Sequence, residues 1–118
     1  MNEELRVPDE LLARCVGRLD LVQRVLNAYA KQMNEDIPKL VSELEAGNAS
    51  GVASLAHRIK GASANASMNS LRSRAEEVEN LAREDRQLED IQASVAKLRS
   101  DWIALEQSTA SLQVSTNP

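Results

Sequence analysis

A chain of 118 residues holds one compact domain, and its single Cys and single His leave no material for a disulfide, a closed zinc site or chemistry needing two histidines. With no Phe, one Tyr and one Trp, the core is left to Leu, Ala, Val and Ile, which favour helix over sheet, and four Gly with three Pro are too few for the turns of a β-sandwich. A net charge of −4, no apolar run of about 18 residues and an acidic Met1–Arg6 start argue against nucleic-acid binding, a membrane span and a signal peptide, so a cytoplasmic, soluble, all-α protein is expected.

Asp9, after Pro8 and before Glu10-Leu11-Leu12-Ala13, predicts a short first helix that stops near Gly17. Cys15 lies in this apolar stretch and reads as core filler. Asp20 is placed to cap a long second helix, along which Val22, Val25, Tyr29, Met33, Ile37, Leu40 and Leu44 recur at steps of three and four. Pro38 interrupts this stripe without shifting its phase, which predicts a kink rather than an end. Gly47 supplies the stop, and Asn48 or Ser50 the cap of a third helix from about residue 49 to 66. The polar stretch 65–70 offers Ser67 or Asn69 to cap a fourth helix, with Leu71, Ala75, Val78 and Leu81 or Ala82 facing inward. Arg83-Glu84-Asp85-Arg86 reads as a connector. In the last helix Leu88, Ile91, Val95, Leu98, Trp102, Leu105, Thr109 and Leu112 form a heptad seam suited to shallow packing in a bundle. The expectation is a single domain over 1–118, its core about 8–112 and its tail 113–118 frayed.

The third helix carries the only histidine. On a wheel of about 100° per residue with His57 at zero, Val52, Leu55, Ile59, Ala62, Ser63 and Ala66 fall between about 140° and 240° and form the inward stripe. His57 therefore faces solvent, with Ala53, Lys60, Gly61 and Ala64 within about 60° of it. Small residues on a solvent face suit a close approach by something else, and glycine inside a helix costs about 1 kcal/mol against alanine. Lys60, three residues on, is within reach of the ring; its ammonium disfavours the imidazolium and can neutralise an anion attached there. Taken singly, a surface histidine, a solvated lysine and a kinking or close-packed glycine are ordinary features. Together they describe a nucleophilic imidazole prepared for an anionic group that a docking partner delivers.

The segment Ala56-His57-Arg58-Ile59-Lys60-Gly61-Ala62-Ser63-Ala64-Asn65 resembles the signature of histidine-containing phosphotransfer (HPt) domains, relay modules of multistep two-component signalling. The pattern runs His, any residue, aliphatic, Lys, Gly, then two small residues. The likeness extends to Asp36-Ile37-Pro38-Lys39-Leu40 and the Glu45-Ala46-Gly47-Asn48 turn, and covers about Pro8 to Leu112. It implies an antiparallel up-down four-helix bundle with a short extra N-terminal helix. It further implies that His57 is phosphorylated on Nε2 by the aspartyl phosphate of a receiver domain and passes the group to another receiver.

The resemblance makes the chain a carrier and no enzyme, with no intrinsic cofactor or metal, because the receiver supplies Mg²⁺ and the acidic residues. Its implied partners are receiver domains of response regulators or hybrid histidine kinases, with no nucleic acid and no membrane, and a closed bundle gives no reason to be other than a monomer. By position, Lys60 matches the phosphate-side cation and Gly61 the clearance residue. Glu79 matches a Glu or Gln that accepts from the histidine Nδ1, with a solvated helix glutamate as the equal alternative, and Arg83 matches a site that is sometimes basic. Ala53, Arg58, Gly61 and Ala64 would line the docking face, a small apolar patch framed by Arg58, Lys60 and Arg83. Ser67 stands where the family often has Gly and Met33 near a common Phe, so a different turn into the fourth helix and altered local packing are expected. Two other readings stand beside this one: a phosphoacceptor domain excised from a larger hybrid or chemotaxis-type histidine kinase, and a helical adaptor in which His57 has no role.

Overall fold

Five α-helices and no strand make up the residues described by the computed structural model, 8–116, with side chains to residue 107. They are α1 (Asp9–Arg14), α2 (Leu19–Glu45), α3 (Ala49–Asn65), α4 (Asn69–Arg83) and α5 (Leu88–Thr116). Helices α2 to α5 close into a ring in which α2 touches α3 and α5, and α4 touches α3 and α5. Short connections make sequence neighbours antiparallel, so the up-down four-helix bundle with an extra N-terminal helix is the observed architecture. Among the described residues no helix is long and apolar enough to cross a membrane.

The stripes read from the sequence are the ones that bury. In α2 these are Val22, Tyr29, Met33, Ile37 and Leu40, and the helix continues through the exposed Pro38 because the apolar phase is unbroken. In α5 they are Ile91, Val95, Leu98, Trp102 and Leu105, while Leu88 stays half exposed. Thr109 and Leu112 lie outside the residues whose side chains are described; of the tail expected to fray, 113–116 continue α5 as helix and 117–118 lie outside the described residues. The two aromatics meet edge to face, with ring centroids 5.5 Å apart. Trp102 Nε1 donates to Asn34 Oδ1 at 3.0 Å, and Asn34 Nδ2 donates to Glu106 Oε2 at 2.7 Å, which fastens α5 to α2. Tyr29 and Ser63 share a buried hydrogen bond of 2.8 Å between α2 and α3. A second small core, Leu11, Cys15 and Val22, seats α1. From α1, Arg14 Nη1 donates to the Asn65 carbonyl at 2.9 Å and to Ser67 Oγ at 3.2 Å, satisfying the open end of α3.

Two of the expected caps are absent. Helix α2 starts one residue before Asp20, with Arg18 at the cap position, so the Asp20 carboxylate sits in the first turn and pairs with Arg18 Nη2 at 2.7 Å. Neither Ser67 nor Asn69 caps α4: Met68 holds that position without a side-chain bond. Ser67 is instead consumed in ending α3, at φ +58°, with its own N–H on the Ala64 carbonyl and that of Met68 on the Ser63 carbonyl. Of the alternatives before α3, Asn48 is the cap, accepting from the Gly51 amide at 3.2 Å.

Candidate functional site

Helix α3 presents its outer face between α2 and α4. Its buried residues are Val52, Ala53, Ala56, Ile59 and Ser63, with Ala66 just past its end, a stripe centred further round the wheel than the sequence predicts. Ala53 is therefore corrected: it belongs to the core, not to an exposed docking face, because the close packing of α3 on α4 draws that flank inward. Leu55 and Ala62, expected inward, are only half buried for the same reason. His57 is out, its side chain 63% exposed. Gly61 and Ala64 share the exposed face, and a Cβ built on Gly61 meets nothing within 4 Å. A close helix contact thus does not account for Gly61. The other glycine of α3, Gly51, is a packing residue, since a Cβ there would run into the carboxylate of Glu43 and the amide of Asn48.

Glu79 on α4 organises the site. It follows Val78 in the inner stripe and so comes to rest at the α3–α4 seam, only 6% exposed. His57 Nδ1 lies 3.1 Å from Oε2, Arg83 Nε donates to the same oxygen at 2.9 Å, and Lys60 Nζ stands 2.9 Å from Oε1. The solvated-glutamate alternative is thereby removed. Burial pushes the Glu79 carboxyl up, but the close Lys60 ammonium, the hydrogen bond from Arg83 and the charge of His57 outweigh it and hold the group below the usual carboxylate range. An ionised carboxylate only accepts, so Nδ1 donates, and in the neutral ring Nε2 is left as the bare nitrogen. Lys60 needs a correction too. Its side chain does not face freely outward but is 28% exposed, with its ammonium turned onto Glu79, because a buried carboxylate must find cations.

Arg58 lies on the other flank of His57 and pairs through Nε with Asp36 Oδ2 at 3.2 Å. The sequence reading gave Asp36 no partner, although its place in the α2 stripe between Met33 and Leu40 already put a charge on an inner face. Among the described residues no group of three or more His, Cys, Asp or Glu side chains is placed to hold a metal ion. The site can offer one nucleophilic nitrogen, oriented from behind, with two cations beside it and clear space ahead.

Comparison with curated proteins and with solved structures found no match. The family model of the Hpt domain matches residues 24–108. A match that begins within α2, takes in all of α3 and α4 and ends within α5 spans the bundle and its histidine together, and the chain belongs to the Hpt domain family.

Proposed function

We propose that this chain is a phosphoryl carrier of a multistep phosphorelay, taking the group on His57 Nε2 from the aspartyl phosphate of one receiver and giving it to the next. Hpt domains are phosphocarrier modules that work with receiver domains in two-component signalling. The observation that carries the finer reading is the exposed ring whose Nδ1 is committed to a buried, ionised Glu79. The Nε2 lone pair attacks phosphorus, the P–O bond of the acyl phosphate breaks, and the electron pair leaves with the receiver carboxylate. The ring keeps its Nδ1 proton and gains positive charge, which Glu79 faces directly. Lys60 and Arg83, already gathered at Glu79, are the cations nearest the incoming phosphoryl group. Gly61 and Ala64 leave room for the partner's surface. The Mg²⁺ that the transfer uses is the receiver's, and the carrier works as a cytoplasmic monomer.

The test is transfer from a receiver phosphorylated by a small-molecule donor. The carrier should take up an acid-labile, alkali-stable label that maps to His57 and disappears in His57→Gln. A label that survives acid would indicate Ser or Thr and overturn the proposal.

A further inference from the structure

The face that carries His57 has two flanks, and their chemistry differs. Toward α4, three basic groups share Glu79. Toward α2, Arg58 Nε forms an ion pair with Oδ2 of Asp36 at 3.2 Å, and Gln32 Nε2 donates to the same oxygen at 3.4 Å. Asp36 is fully buried, and its Oδ1 meets no hydrogen-bond donor among the described residues. A half-satisfied buried carboxylate is a weak device for stability, since apolar residues often serve such a position as well or better. The Arg58 side chain, by contrast, remains 56% exposed, and the ion pair through Nε leaves the Nη1/Nη2 fork for another acceptor.

We propose that Asp36 is a positioning residue for docking: it pins Arg58 at the α2 rim of the His57 face, where the guanidinium fork takes a carboxylate on the surface of an incoming receiver domain. An arginine fork matches a carboxylate in a planar, two-bond geometry that a lysine does not reproduce. Anchoring the side chain beforehand removes rotamer entropy that docking would otherwise have to overcome. A cation held beside His57 also offsets the repulsion between a chain of net charge −4 and an acidic partner. This inference rests on the carrier reading.

Steady-state transfer from a phosphorylated receiver tests it, using Asp36→Asn, Arg58→Ala, the double variant and Arg58→Lys. Each single variant should raise KM roughly tenfold with kcat within about twofold of wild type, and the double should be no worse than Arg58→Ala, because both act through one guanidinium. Asp36→Asn should still be labelled on His57 by phosphoramidate, a small donor that needs no docking. Arg58→Lys keeps the buried charge paired, so its melting temperature should hold while its KM rises; a wild-type KM there overturns the proposal even if Asp36→Asn fails to fold. An Asp36→Asn protein that melts lower yet keeps a wild-type KM overturns it, as does an additive double variant. If phosphoramidate labels the wild type but no phosphorylated receiver does, the carrier reading falls and takes this inference with it.

Discussion

At Glu79 one carboxylate answers His57, Lys60 and Arg83, and its ionisation selects the ring tautomer. Its folded-state acidity lies below the ordinary value of 4.5, so its contribution to stability is complete above that pH and is lost as pH falls through the lower, folded value. The stability gap between wild type and Glu79→Gln should therefore be constant near neutrality and close steadily below pH 4.5. Thermal melts of both proteins across that range check this, and a gap that widens on acidification would contradict it. His57 and Gly61 were legible because an outward position follows from the period of a single helix. The pairing of Glu79 with His57 entered only through the resemblance, as one of two alternatives, since it depends on how α4 lies against α3, and Ala53 was misplaced because the centre of a buried stripe depends on the neighbours.

The ends of the helices show the same division. Four of them, after α1, α2, α3 and α4, close with a left-handed residue: Val16, Gly47, Ser67 and Asp85. Gly47, and Gly17 directly after Val16 at φ +73°, are the glycines that announce such stops. Val16 is the costly member, a β-branched residue at φ +55° that is 85% exposed and compensates with little burial. Val16→Gly should stabilise the protein by about 1 kcal/mol, the relief of a left-handed side chain less the added freedom of glycine in the unfolded chain. Urea denaturation reads this directly, and a loss of stability would mean that the valine side chain matters more than its backbone. Periodic segments placed every helix, but the side-chain caps at Asp20 and Ser67 were misassigned, because a shift of one residue in a start turns a cap into a first-turn or terminating residue.

Across the whole molecule, α3 and α5 sit diagonally in the ring, so the chemistry and much of the packing are held by different elements. Leu98 of α5 is fully buried, and Leu98→Ala should cost about 3 kcal/mol of stability, as cavities in well-packed cores do. Below the melting transition its His57 should still be labelled by phosphoramidate at the wild-type rate; a slowed rate would show that α5 reaches the site through the core. What the amino-acid order settled by itself was the helical class, the number of helices and the solvent-facing histidine with its bare glycine, because local period and propensity act within one element. Which charges meet across helices was decided by tertiary structure. The seam between α3 and α4 brings His57 and Lys60 onto Glu79, beside its own-helix partner Arg83, and the seam between α2 and α3 sets Arg58 on buried Asp36. Burial makes each carboxylate demand partners, and only the crossing of helices determines which side chains come close enough to answer.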